Sequence, residues 1–286
     1  MRQSQKSETN RLLGYPADAR LLIINADDFG MCHATNAAIF RSLTEGVVCS
    51  TTLMVPCPWA SQAMQLLAEN PAIPFGVHLT AIGDTINYRW RPLTCRDKVP
   101  SLVDETGHFY ISERIPEFLV QARLDELEIE FRAQIETVLA ARLKPTHLDW
   151  HSLRIARRPD IFDVMFGLAR EYGLALRVRE RFLIEKVQRQ GLPTNDHDFL
   201  DSYEMGSVGK PARFTQLLRD LPVGLNEWAV HPGLGDAELL AIDPVGAPAR
   251  QADLDFMVSA QVREVIQQEG ITLLSYRPLQ AVWQDR

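Results

Sequence analysis

Short apolar runs alternate with helical stretches from Leu21 to Ser275, and this alternation constrains the fold more than any other property of the chain. Leu21-Leu22-Ile23-Ile24 is an apolar run of buried-strand type. A helical pattern follows over about Thr35–Glu45, with Gly46 at the position where helices often stop. Val47–Val55 is rich in β-branched residues and reads as a second strand. Pro58 opens a helix continuing over Trp59–Glu69, and Phe75–Leu79 is a third strand. Leu124, Leu127, Phe131, Ile135, Val138 and Leu139 form a helical stripe. Pro145 introduces a strand over Thr146–Trp150, and Pro159 opens a helix that ends near Gly173. Strands are expected over Leu174–Val178, Leu225–Val230 and Ile271–Ser275, with helices over Arg213–Arg219 and Asp253–Glu269. Residues 180–210 read as irregular, and residues 81–110 as a long surface excursion of the kind that forms lids.

Strand–helix alternation of this kind calls for parallel strands joined by crossover helices. The chain is therefore expected to be an α/β protein, a (β/α) barrel of about seven strands that is incomplete or distorted. No linker or shift in composition divides it, so residues 19–286 read as a single catalytic domain behind a flexible tail, residues 1–18.

The net charge of −7 provides no basic face for a nucleic acid. No apolar run is long enough to cross a membrane, and the polar opening MRQSQKSETN lacks a secretory signal's apolar segment, so a cytoplasmic location is expected. Cys32, Cys49, Cys57 and Cys95 form no C-x-x-C pair, which argues against a zinc knuckle; they read as buried, reduced thiols.

In parallel α/β folds, functional groups gather at the carboxyl ends of the strands. Asp27 and Asp28 follow the first strand, His78 ends the third, His151 ends the strand introduced by Pro145, and His231 ends the strand that starts near Leu225. One carboxylate with two imidazoles suits a divalent metal that keeps open positions for water and substrate. Hydrolysis would also need a base and an acid, and neighbouring Asp27 and Asp28 would divide ligand and base between them while His231 donates. Plainer readings stand beside these. The Asp-Asp pair is a common helix N-cap, a lone His78 is often a satisfied polar group, and Asp149 would orient a ligand or cap a turn. His147 reads as packed inward or onto a helix, and His33, His108 and His197 as surface residues.

Asn25-Ala26-Asp27-Asp28-Phe29-Gly30, the S-T-T-L-M-V strand, Gly76-Val77-His78-Leu79, P-T-H-L-D-x-H, Ala175-Leu176-Arg177 and the late E-x-x-x-H-P from Glu227 occur in one order. Together they resemble the YdjC-like family of carbohydrate deacetylases, the chitooligosaccharide deacetylases among them, from about Leu21 to Tyr276. The resemblance implies a polysaccharide-deacetylase-like barrel with one divalent metal, Zn2+ or Mg2+. By matching positions it makes Asp28, His78 and His151 the ligands, Asp27 the general base and His231 the general acid. Arg177 would steady the base or the substrate, with Asp149, Trp150 and Glu227 around the site. The implied reaction removes an N-acetyl group from a small acetylated amino sugar, with neither a nucleic acid nor a membrane as partner, in a homodimer. Members of the family continue past the last ligand as H-x-H-x-H, whereas this chain reads His151-Ser152-Leu153-Arg154-Ile155, with Trp150 in place of serine as a sugar platform or a core filler. Hydrolysis of another carbohydrate ester or amide, or sugar binding without turnover, are the alternative readings.

Overall fold

The computed structural model describes residues 7–153 and 157–286. Ten strands occur among the described residues: β1 (Arg20–Phe29), β2 (Ser50–Leu53), β3 (Phe75–Leu79), β4 (Ile82–Gly83), β5 (Tyr110–Ile111), β6 (His147–Trp150), β7 (Ala175–Leu176), β8 (Leu200–Asp201), β9 (Gly224–Val230) and β10 (Thr272–Leu273). The main sheet runs β7-β6-β3-β2-β1-β9-β8, every pair parallel, and β10 joins β1 on the edge that β2 occupies further along. A small parallel pair, β4 and β5, stands apart.

Five strand spacings separate β7 from β9, a span of roughly 24 Å in a flat sheet. Yet Arg177, just past β7, lies 2.6 Å from Glu227 of β9. The sheet is therefore curled into the expected incomplete barrel, and among the described residues β7 and β8 do not pair to close it.

Among the described residues twelve α-helices connect and cover the strands: α1 (Glu8–Leu13), α2 (His33–Thr44), α3 (Ala60–Glu69), α4 (Ile115–Gln121), α5 (Leu124–Ala140), α6 (Pro159–Tyr172), α7 (Arg181–Gln188), α8 (Lys210–Arg219), α9 (Ala237–Ile242), α10 (Ala247–Met257), α11 (Ala260–Gln268) and α12 (Arg277–Gln284). Leu127, Phe131, Ile135 and Val138 of α5 are buried, while Leu139 at the margin of that stripe is exposed. Gly173 ends α6 in the left-handed conformation, where a Cβ would be strained.

Several expectations are corrected. Residues 7–18 are not a flexible tail: Ser7 caps α1 by accepting from the Asn10 amide at 2.8 Å and donates to Asp196 at 2.6 Å. Asn10 in turn donates to the carbonyls of Pro16 and Ala19 at 3.0 and 2.9 Å, tying the segment down to the start of β1. Residues 1–6, also placed in that tail, lie outside the described residues. The helix expected over Asp253–Glu269 is two helices, because the Ser259 side chain caps the Val262 amide and starts α11 afresh. The stretch 180–210 contains α7, which buries Leu183, Ile184 and Val187, and also β8. Cys95 is exposed rather than buried.

Close approach matters at Gly76 of β3, which faces His147 of β6. A Cβ there would lie 2.6 Å from the His147 carbonyl oxygen, so Gly76→Ala is expected to destabilise by about 1–3 kcal/mol through overpacking. Gly167 in α6 has no atom within 4 Å of a built Cβ. Gly167→Ala is expected to stabilise by about 0.5–1 kcal/mol, the helix preference of Ala over Gly. Urea unfolding midpoints of the two variants should therefore move in opposite directions.

Candidate active site

Side chains alternate along a strand, so residues of one parity share a face. Asn25 and Asp27 of β1, His78 of β3, His147 and Asp149 of β6, and Glu227 of β9 point into the curl on this rule, with His151, Arg177 and His231 continuing the same parity just past their strands. Asp28 has the wrong parity. It is brought in by a bulge: three steps of β1, from Ala26 to Phe29, oppose two of β2, and Asp28 takes φ 72°. Few non-glycine residues adopt that conformation, and it is characteristic of functional sites. Gly30 follows with Ala60 Cα only 3.1 Å from where a Cβ would stand.

The Asp28 carboxylate is buried, and its two oxygens do different things. Oδ2 accepts from Arg250 at 2.7 Å. Oδ1 has no hydrogen-bond partner, and lies 3.2 Å from His151 Nδ1 and 3.5 Å from His78 Nε2. The far nitrogen of each imidazole is already committed: His78 Nδ1 donates to Asp149 at 2.7 Å and His151 Nε2 donates to Asp84 at 2.7 Å. A carboxylate only accepts, so these contacts leave lone pairs on His78 Nε2 and His151 Nδ1 aimed at Asp28 Oδ1 whenever the rings are neutral. All three atoms lie within 4.8 Å of one another. Ligands about 2.0–2.2 Å from a shared ion sit roughly 3.0–3.5 Å apart, so this donor set fits a divalent metal held by oriented imidazoles. Asp27, His78 and Asp149 also converge, but the Arg177 guanidinium already occupies that cluster, and a second cation has no place there.

Arg177 is buried and answers three carboxylates. It donates to Asp27 Oδ2 and Oδ1 at 2.7 and 2.8 Å and to Glu227 at 2.6 Å, and lies 2.8 Å from Asp149 Oδ2. Asn25 donates to Asp27 Oδ1 at 2.7 Å. Of the roughly four acceptor directions of a carboxylate, the one left open on Asp27 is on Oδ2. That oxygen is 3.9 Å from His231 Nε2. Burial would raise the Asp27 pKa, but the Arg177 charge overrides it and holds the carboxyl below the usual range. The Asp28 carboxyl is likewise held well below that range, since Arg250 and the two imidazoles outweigh its burial.

Arg177, itself buried, holds both oxygens of the Asp27 carboxylate in place. Glu227 supports Arg177 and accepts from the Tyr276 hydroxyl. Trp150, of outward parity, is part of the hydrophobic core and 8% exposed, which makes it a filler rather than a sugar platform. His147 stacks on Tyr276 with ring centroids 3.6 Å apart. Arg154 and Ile155, in the run that departs from H-x-H-x-H, lie outside the described residues.

With this geometry in place, the sequence comparisons are specific. Residues 21–268 match the family described as YdjC-like protein. The chain belongs to that family. It is 32% identical over 259 residues to a carbohydrate deacetylase of Geobacillus stearothermophilus, covering 90% of this chain and 97% of that protein. It is 32% identical over 266 residues to a chitooligosaccharide deacetylase of Yersinia enterocolitica, covering 90% of this chain and 98% of that one. The fold superposes with a TM-score of 0.78 on a crystal structure from Enterococcus faecalis V583, of a protein named for cellobiose-phosphate cleavage, at 29% identity and covering 91% and 99% of the two chains.

Other site residues of this YdjC-like chain were not legible in its sequence. Asp84 comes from the 81–110 excursion, just past β4, and Arg250 from α10 within a stretch with no strand-end signal. Tyr88 donates to the Met31 carbonyl at 2.7 Å, and the buried Trp90 ring lies 6.1 Å from His151. The excursion is thus packed into the site rather than lying over the surface.

Burial pushes the His78 and His151 pKa values down, but neighbouring carboxylates push harder. Asp149 and Asp28 raise His78 to about 10, and Asp84 and Asp28 raise His151 to about 9. Both exceed the unfolded value near 6.5, so this contribution to stability is complete below about pH 6.5 and is lost as pH rises through 9 and 10. Protein stripped of metal is expected to melt at progressively lower temperature from pH 7 to pH 10. A divalent ion must displace both protons, so about two should be released on binding at pH 7. Calorimetry in buffers of different ionisation enthalpy measures that number, and no release would overturn the ligand assignment.

Proposed function

We propose that this YdjC-like chain is a metal-dependent hydrolase that removes the N-acetyl group from a small acetylated amino sugar. One observation carries the reading. Asp27 Oδ2, the oxygen with an open acceptor direction, lies 3.9 Å from His231 Nε2, and Asp28 Oδ1 lies 3.2 and 3.5 Å from His151 and His78, which supports one rim for base, acid and ligand set. The deacetylase names of relatives that match along 90% of the chain supply the substrate class.

A divalent ion held by Asp28, His78 and His151 would polarise an acyl oxygen and lower the pKa of a bound water toward ~7. Asp27 takes the proton of the attacking water on Oδ2. Its tether to Arg177 and Asn25 fixes the aim of that oxygen and keeps it ionised at neutral pH. The low pKa makes Asp27 a weak base in isolation, which suits a water that is already acidified. His231 Nε2 donates to the leaving nitrogen, so acetate and a free amine depart. Two titratable groups 3.9 Å apart thus hold opposite roles because only one of them is clamped by a guanidinium.

Acetate release from N-acetylated chitooligosaccharides should need added divalent metal and disappear with a chelator. Asp27→Asn and His231→Ala should each lower kcat by about 10²–10⁴-fold while metal stoichiometry stays unchanged. Metal-loaded protein that released no acetate from such sugars, yet cleaved cellobiose phosphate, would overturn the proposal.

A further inference from the structure

His231 is gripped from behind by a buried polar chain that has no part in the reaction as set out above. Ser202, just past β8, places Oγ 3.2 Å from His231 Nδ1. The same hydroxyl donates to Asp253 Oδ2 on α10, and that oxygen also accepts the His231 backbone N–H at 2.8 Å. Asp253 Oδ1 lies 2.6 Å from the Lys210 ammonium of α8, and Lys210 donates to the Ala249 carbonyl at 2.9 Å. Ser202, Asp253 and Lys210 are all fully buried.

The direction of each hydrogen bond follows from counting protons. The Asp253 carboxylate, paired with an ammonium, can only accept. The single proton of Ser202 is therefore committed to Asp253, and Ser202 Oγ offers His231 a lone pair. Nδ1 must then carry a proton, which leaves Nε2 as the nitrogen that faces Asp27 and changes its protonation state. The other groups around the ring do not compete. Asp201 is 3.8 Å from Nδ1, and its Oδ1 already accepts the Tyr203 amide at 2.9 Å. The Tyr203 ring lies edge-on with its centroid 5.7 Å away, with the Arg250 guanidinium 5.3 Å from that same ring.

We infer that Ser202 and Asp253 are positioning residues for His231, a serine-mediated relay that fixes the Nδ1–H tautomer and stabilises the ring when it is charged. Lys210 pairs with Asp253 out of reach of solvent. The role in turnover rests on the proposed function; the tautomer does not.

Two-bond proton–nitrogen correlation spectra of the full chain with labelled histidine, recorded where the imidazole is neutral, test the tautomer without any substrate. His231→Gln identifies the resonance. The unaltered protein and Ser202→Thr should show the Nδ1–H form, and Ser202→Ala and Asp253→Asn should lose it in favour of Nε2–H. In acetate release, Ser202→Ala should lower kcat about a hundredfold with little change in KM, and the hydroxyl of Ser202→Thr should restore most of it. An Nε2–H form in the unaltered protein overturns the inference whether or not any variant folds. So does Ser202→Ala that retains the Nδ1–H form and full kcat. Absence of acetate release from every sugar would refute the proposed function, and the spectra would still decide the relay.

Discussion

The Arg177 guanidinium ties together carboxylates from three strands that a flat sheet would keep far apart: Asp27 of β1, Asp149 of β6 and Glu227 of β9. Its planar fork matches the Asp27 carboxylate bidentately while its remaining donors serve the others, a task a lysine could not perform. Burying these charges is costly, and removing the cation would leave three buried carboxylates without their shared counter-charge. Burial pushes the Glu227 carboxyl up despite the Arg177 charge beside it. The arrangement is better understood as fixing geometry than as adding stability. Asp149 is held on one oxygen by Arg177 and on the other by His78, so the Arg177 cluster and the imidazole pair share one rigid part.

The second constraint is a single backbone angle. A regular β1 would send Asp27 and Asp28 to opposite faces. The left-handed turn at Asp28 lets one carboxylate go to Arg177 and its neighbour to the two imidazoles and Arg250. The proposed division of Asp27 and Asp28 into base and ligand would therefore be conformational in origin, since the two side chains are chemically identical. Each is kept ionised by its own arginine, and neither has to share a proton with the other.

Much of this was legible in the sequence because strand periodicity and strand-end position are local signals. The β3 bounds, the Pro159 start of α6 with Gly173 at its end, and the inward parity shared by Asp149 and His151 all follow from a few adjacent residues. What escaped depends on long-range closure. Nothing near Asp84, Ser202, Arg250 or Asp253 distinguishes them from solvated polar residues; they become site residues only because a crossover or an excursion returns to the rim. The N-terminal segment escaped for the same reason, since Ser7 and Thr9 are anchored to residues around Thr194–Asp196. Trp150 shows the converse: its neighbours are site residues, but parity alone sends it to the core.

The excursion that interrupts the alternation also delivers the partner of the His151 ring. His151 keeps its orienting partner, but that partner is Asp84, delivered by a segment that α5 holds from beneath. Glu130 accepts the amides of Leu93 and Thr94 at 3.1 and 3.0 Å, and Gln134 bonds both the amide and the carbonyl of Thr80. Burial raises the Glu130 carboxyl, so this anchor depends on those amides rather than on a counter-charge. Because Asp84 fixes the His151 ring, any movement of the excursion would be felt at His151 Nδ1. The orientation of the His151 ring and the packing of the excursion thus depend on one backbone segment, which α5 anchors through Glu130 and Gln134.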